Sequence, residues 1–320
     1  MLHELENLEV KNFDAGAVFS GKPTNQAVKG YSAPSSYAPT PDPNFIFQEV
    51  SRDVIVWFLA ESDPIYVFGP TGSGKTSLLK EIAARLNYPV FEITGHSRLE
   101  FPEMVGHLTV KDKDMIYQYG PLALAMKFGG LFLLNEIDLL DPSTAAGLNT
   151  ILDGSPLCIP ENGGEIIKPH PMFRFAATAN TNGASDETGL YNGCLRQNLA
   201  FMDRFTLCEV GYMDAKLETN LLCALYPKLP EEVARKMVSY ANEVRRLFIG
   251  NAEGEAKLDI TFSTRTIIRW ANLTIRFGPL AKLSISPVLY ALDRALALRA
   301  NPETRTYLTE LAQRTFSAGN

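Results

Sequence analysis

The sequence is poor in cysteine and histidine, with four of each in 320 residues. Cys158, Cys194, Cys208 and Cys223 form no C-x-x-C pair, and no histidine stands at zinc-ligand spacing. Neither a zinc site nor a disulfide framework is therefore expected, and the thiols read as free and reduced. Long apolar runs are missing too. No stretch reaches the roughly 18 uninterrupted apolar residues of a membrane-spanning helix, so no membrane association is expected. The opening residues, Met1-Leu-His-Glu-Leu-Glu6, lack the basic-then-apolar order of a signal peptide, so a cytoplasmic chain is expected. Nor is there an excess of positive charge: 36 acidic residues against 30 basic ones leave a formal net charge of −6. That balance argues against a general nucleic-acid binder, which would carry a basic face.

What is present is a large apolar fraction, 46% of the residues, enough for a sizeable core in one large domain or two smaller ones. Residues 1–44 read as a separate extended arm or linker, because Gly30 to Pro43 is rich in Pro and Ser and cannot form a long helix. Phe45 to Ala60 has a helical apolar pattern. From 45 to 213, short apolar runs bounded by turn residues alternate with helical patterns. The runs are Ile65–Phe68, Val90–Ile93, Leu131–Leu134, Phe173–Thr178 and Thr206–Val210, and their alternation with helices predicts a parallel α/β sheet. Leu78, Leu79, Ile82, Ala83 and Leu86 recur at helical spacing. Asp141-Pro142 opens a further helix as N-cap and first residue, with Ala145, Leu148, Ile151 and Leu152 as its apolar face. From 214 to 320 only helices are predicted: Lys216–Leu225, Glu231–Phe248, Thr264–Phe277, Pro287–Arg299 and Glu303–Phe316.

Gly69, Pro70, Thr71, Gly72, Ser73, Gly74, Lys75 and Thr76 fit G-x-x-x-x-G-K-[ST], directly after a predicted strand and before a predicted helix. In that context the glycines let backbone N–H groups wrap phosphates, assisted by the helix N-terminus. Lys75 would reach the β- and γ-phosphates of ATP, and the Thr76 hydroxyl would bind Mg2+. A second buried run, Gly130 to Asp138, ends in acidic residues, where a P-loop enzyme holds Mg2+ and orients water. Glu136 is the candidate for polarising the attacking water. Before it, where an Asp normally supports the metal, stands Asn135. Its amide oxygen can still accept a hydrogen bond from a metal-bound water but adds no negative charge, which leaves room for weaker Mg2+ binding or slower hydrolysis. Asp138 either compensates for the missing charge or shapes the following turn. Asn180, at the end of the run from Phe173, either positions water against the γ-phosphate or simply forms a turn. Arg204, just before the last strand, is either a solvated arginine or a cation given to ATP on a neighbouring subunit. Arg265, opening a helix of the last region, is either a solvated arginine or a group that reports the nucleotide state from across the domain junction. Arg245-Arg246 and Lys111 to Asp114 read as solvated faces or loop tips.

Together these residues resemble the MoxR group of AAA+ ATPases, and within it the ATPase subunits of aerobic cobalt chelatases. The most specific stretch runs from Pro169 to Gly183, continues through Asp186-Glu-Thr-Gly-Leu-Tyr191, and ends in Met202-Asp-Arg-Phe205. Asp42 to Phe47, the P-loop and Ser263 to Trp270 extend it over most of the chain. The resemblance implies a P-loop AAA+ α/β core, with its parallel sheet flanked by helices, and a C-terminal all-helical lid. It implies sensor 1 at Asn180, an arginine finger at Arg204 and sensor 2 at Arg265. It also implies β-hairpins at Leu99–Gly120 and Leu157–His170 that face a ring pore or a partner. Proteins of this group work as homo-oligomeric rings, typically hexamers, paired with a von Willebrand A domain protein. In the chelatase case the ring powers Co2+ insertion into a corrin held by a large chelatase subunit. Three other readings stand beside that one: a MoxR-type ATPase with a different client, an ATP-gated switch that hydrolyses little, and a nucleic-acid motor, which the acidic balance disfavours.

Overall fold

The computed structural model describes residues 2–60, 63–184, 191, 193–249, 258 and 260–317. The Asp186 to Leu190 part of the most specific stretch lies outside them. The chain forms two compact units. One comprises Met1–Pro43, Phe47–Pro70 and Lys75–Val210, the other Asn44–Ile46, Thr71–Gly74 and Gly211–Asn320.

Five parallel strands form the centre of the first unit. Across the sheet they run Thr206–Glu209, Ile65–Phe68, Arg174–Ala179, Leu131–Asn135 and Val90–Thr94. Leu131, Phe132, Leu133 and Leu134 are wholly buried, as an apolar run must be when helices cover both faces of a parallel sheet. Register brings the carboxyl ends level, with Phe68 opposite Ala179 and Thr94 opposite Asn135. Among the covering helices, Lys75–Arg85 buries Leu78, Leu79, Ile82 and Ala83. The helix expected from Asp141 is broken into Pro142–Ala146 and Asn149–Leu152, with Gly147 between them. Its cap is as read: Asp141 accepts from the Ser143 N–H at 2.8 Å. Two hairpins leave this body, Gly106–Lys111 with Asp114–Tyr119, and Leu157–Ile159 with Glu165–Ile167. Asp112 and Lys113 turn the first with φ of 52° and 75°, the left-handed pair that a tight two-residue hairpin turn needs.

The expectation of an extended arm over 1–44 is corrected in its first part. Leu2–Glu6 and Ala15–Ser20 are helical, and Val10–Asp14 pairs antiparallel with Ala27–Tyr31. The physical reason is burial: Leu5, Ala15, Val28 and Tyr31 are at most 5% exposed. Tyr31 also donates its hydroxyl to the Gly129 carbonyl at 2.5 Å and its N–H to the Leu86 carbonyl at 2.9 Å. From 32 to 50 there is no helix or strand, as the Pro- and Ser-rich composition requires. The following helix is shorter than its apolar pattern, beginning at Ser51 and ending at Ala60.

The second unit is built on helices Ala215–Leu225, Glu231–Ile249, Thr264–Arg276, Pro287–Ala295 and Pro302–Ser317. Asp214, Ser263 and Ser286 cap three of them through their side chains. Tyr240, Phe262 and Trp270 pack edge-on and tilted at its centre, with centroids 5.3–5.7 Å apart. Arg245, read from sequence as a solvated residue, is 4% exposed. It forms a two-pronged pair with the fully buried Glu218, at 2.8 and 2.9 Å, and donates to the Phe262 carbonyl at 2.6 Å. Thr264 donates its hydroxyl to the same Glu218 at 2.6 Å. Helical periodicity places Arg245 beside the apolar stripe, and the charge of Glu218 makes that place tenable. Among the described residues no helix is long and apolar enough to cross a membrane.

Removing one member of this pair should strand the other as an uncompensated buried charge. Arg245→Ala is expected to destabilise the second unit by about 3–5 kcal/mol in denaturant unfolding, whereas Glu218→Leu with Arg245→Met should recover most of that loss.

Candidate nucleotide-binding site

The site is built where the level strand ends meet the loop between Phe68 and Lys75. At Gly69, with φ of 146°, any Cβ would run into the Val210 carbonyl oxygen, and Gly74 has φ of 97° with open space where a Cβ would stand. Only glycine suits such backbone. The loop folds back over Lys75, whose ammonium donates to the Gly69 carbonyl at 2.8 Å, to the Pro70 carbonyl at 3.0 Å and to Asn180 Oδ1 at 3.2 Å. Lys75 is only 9% exposed, so these partners offset the cost of burying its charge. Ser73 Oγ is buried with no hydrogen-bond partner among the described residues, a polar atom inside the loop that an oxyanion would satisfy.

Thr76 follows in the helix and donates its hydroxyl to Asn135 Oδ1 at 2.7 Å. Thr178 donates to the same oxygen at 3.1 Å, and Asn135 Nδ2 donates to Glu92 Oε1 at 2.7 Å. The Thr76 proton thus points at Asn135 and leaves the hydroxyl lone pairs free. That arrangement fits a divalent cation beside phosphate.

Glu136 has a left-handed backbone, φ 52° and ψ 43°, a costly conformation for a residue with a Cβ and one that clusters at functional sites. It ends the strand abruptly. Close approach of Gly95 accompanies the turn, since a Cβ there would lie 2.7 Å from the Glu136 carbonyl oxygen. The Glu136 side chain is exposed at the strand ends, with no hydrogen bond among the described residues.

Asp138 is fully buried. Its Oδ2 accepts the Asn180 N–H at 2.8 Å and the Thr181 N–H at 3.1 Å, and its carbonyl accepts the Leu195 N–H at 2.7 Å. Its side chain thus shapes not the turn that follows it, as the sequence suggested, but the distant turn that carries Asn180. Tyr66 closes the arrangement from below and donates to the Thr181 carbonyl at 3.1 Å. Burial, reinforced by Asp138, pushes the Tyr66 hydroxyl far above its ordinary value, so it stays a donor.

Lys75, Thr76, Asn135 and Asn180 thus share one connected site, with Glu136 beside it. Arg204 lies elsewhere. It precedes Thr206, which pairs with Ile65, so it stands at the opposite end of the P-loop strand from Gly69, at least about 13 Å away along the sheet. There it forms a two-pronged pair with Asp153, at 2.7 and 3.0 Å. Arg265 is exposed in the first turn of Thr264–Arg276 in the second unit. Glu92, Thr178 and Asp153 were missed by the sequence reading. Each touches a site residue distant in the chain, and no local pattern marks them.

Comparison with known proteins bears on the family and the fold. Residues 64–197 match the AAA domain of the dynein-related subfamily, and 218–315 match the CbbQ/NirQ/NorQ C-terminal domain. The chain is 30% identical to the aerobic cobaltochelatase subunit CobS of Sinorhizobium sp over 287 residues, covering 87% of this chain and 85% of that protein. It is 29% identical to Midasin of Dictyostelium discoideum over 241 residues, 75% of this chain but 4% of that protein. Among solved structures, a mutant RuvB of Thermotoga maritima superposes with a TM-score of 0.51 at 15% identity, covering 81% of this chain and 73% of that one. At that identity the likeness concerns the fold alone, a P-loop AAA+ sheet with a helical C-terminal region.

Asp138→Ala should leave the Asn180 and Thr181 amides without their acceptor, at about 1–3 kcal/mol for each. The expected outcome is a lower melting temperature and a loss of ATP turnover with ATP affinity held within a few-fold. Unchanged turnover would show that the Asn180 turn does not depend on Asp138.

Proposed function

The chain belongs to the MoxR group of AAA+ P-loop ATPases, alongside CobS, and from that premise we propose that it hydrolyses ATP to drive remodelling of a partner protein. The observation that carries this reading is the connected network in which Lys75 meets Asn180 while Thr76 meets Asn135. Gly69 to Gly74 would cradle the phosphates through their backbone N–H groups, and Lys75 would exchange its loop carbonyls for β- and γ-phosphate oxygens. Thr76 directly and Asn135 through a bound water would hold Mg2+, which when bound neutralises charge developing on the phosphates. Glu136 takes the proton of a water that attacks the γ-phosphorus, the bond to the β–γ bridging oxygen breaks, and ADP leaves. Asn180 orients that water.

Arg204 acts on the ATP of a neighbouring copy, as its place at the far end of the sheet supports. A ring, taken as a hexamer by family resemblance, brings the two together. Arg265 reads the nucleotide from the lid. The client follows from the likeness to CobS: a large chelatase subunit that receives Co2+ into a corrin ring, with a von Willebrand A domain protein as adaptor. The two hairpins would present the contact surface. Leu108, Val110, Met115 and Ile116 on the first are each at least 40% exposed, more apolar surface than a free two-stranded hairpin sustains.

Steady-state turnover against protein concentration tests the ring. Glu136→Gln should bind ATP normally and lose turnover by at least about 100-fold. Arg204→Ala should also bind and lose about 1,000-fold. Mixing the two inactive variants should restore part of the activity, because an Arg204→Ala site can receive the arginine of a Glu136→Gln neighbour. No recovery in mixtures that assemble would remove the trans assignment.

A further inference from the structure

We infer that Glu92 is the positioning residue that fixes which end of the Asn135 amide faces the metal side, and that Asn135 is matched to it. An amide has one end that accepts and one that donates. Here the oxygen takes both hydroxyl protons, from Thr76 at 2.7 Å and Thr178 at 3.1 Å, while Nδ2 donates to Glu92 at 2.7 Å. Were the amide turned over, its NH2 would donate to Thr76, and the hydroxyl proton would swing toward the phosphate side. One of the two lone pairs needed there would be lost, and a proton would stand in its place.

The hydroxyls do not by themselves decide the orientation, because a threonine hydroxyl both donates and accepts. The carboxylate of Glu92, an acceptor without a proton to give, decides it. Register gives Glu92 this role. It pairs with Leu133, and Thr94 pairs with Asn135, so alternation sets the Glu92 and Asn135 side chains on the same face of the sheet one pleat apart. Lys80, on the helix over that face, forms an ion pair with the second Glu92 oxygen and holds the carboxylate in place.

The same contact explains why the residue before Glu136 is not aspartate. An aspartate in that place would set two carboxylates in direct contact with no proton donor between them. Asn135 is therefore one half of a hydrogen-bonded pair whose other half stands 43 residues earlier. This assignment rests on the ATPase reading for its purpose, but not for its geometry.

The test uses the full chain in four forms: wild type, Asn135→Asp, Glu92→Gln, and the two combined. Melting temperatures are measured without nucleotide or metal. Asn135→Asp should melt at least about 3 °C below wild type. Adding Glu92→Gln should recover at least half of that loss, because the introduced glutamine amide can donate to the introduced aspartate carboxylate. An unchanged or raised melting temperature for Asn135→Asp, or strictly additive shifts, would overturn the assignment. A second measurement compares binding of a fluorescent ATP analogue with Mg2+ and with EDTA. Glu92→Ala should cut the gain due to Mg2+ by about fivefold, and Glu92→Gln, whose amide can donate to Asn135 as readily as accept from it, should also cut it, by at least about threefold. A gain due to Mg2+ in Glu92→Gln equal to that of wild type would likewise overturn it. Wild type that bound no analogue would instead remove the ATPase reading, and the melting series would still judge the pair.

Discussion

The ammonium of Lys75 must be satisfied in a place where water is scarce, and much of the first unit is arranged around that need. Two loop carbonyls turn inward to accept from it, which obliges the chain at Gly69 to adopt a conformation that a side chain would block. The third acceptor is the amide of Asn180, at the end of a different strand. Satisfying one buried charge therefore joins the loop to the neighbouring strand end. It also sets the first turn of the next helix so that Thr76 faces Asn135. The level ends of the parallel strands make these reaches short, and this is where parallel sheets collect ligands.

Each unit also buries a second charge behind a polar residue of functional interest. In the first, Asp138 holds the backbone of Asn180 and Thr181 from beneath. In the second, Glu218 is held by Arg245 and takes the hydroxyl of Thr264, next to Arg265. Hydrogen bonds to a buried carboxylate are stronger than neutral ones, and losing a partner is costly. In both, a buried carboxylate fixes the local backbone that carries a polar side chain, Asn180 in the one and Arg265 in the other. Rigid support beneath a polar tip is what a group that must respond to a phosphate requires.

The Asn135–Glu92 contact alters the meaning of a departure from the usual pattern. Alone, an amide in place of a carboxylate reads as missing charge. With Glu92 on the same face and Lys80 beyond it, the amide is a two-ended connector whose orientation is chosen for it. The substitution and its partner form one unit, and such coupled residues do not act additively.

The two hairpins were legible only through the family resemblance, while local signals along the chain suffice for the strands, the principal helices of the second unit and the phosphate loop. These rest on causes acting within a few residues: the period of apolar side chains, glycine at a tight turn, a capping side chain before a helix. Strand limits moved by only a residue, as from Phe173–Thr178 to Arg174–Ala179, because hydrogen bonding to neighbours rather than hydrophobicity sets where a strand stops. Long-range packing settled what the local signals leave open. It folded the first 31 residues into a small sheet and two helices, since Val28 and Tyr31 found buried places that composition does not foretell. It drew Arg245 inward, gave Asp138 to the Asn180 turn, set Arg204 against Asp153 and paired Asn135 with Glu92. Every one of these contacts joins residues well separated along the chain. A hydrogen bond or ion pair reaches only a few ångströms and leaves no periodic trace in sequence, so only the folded chain brings its partners into view.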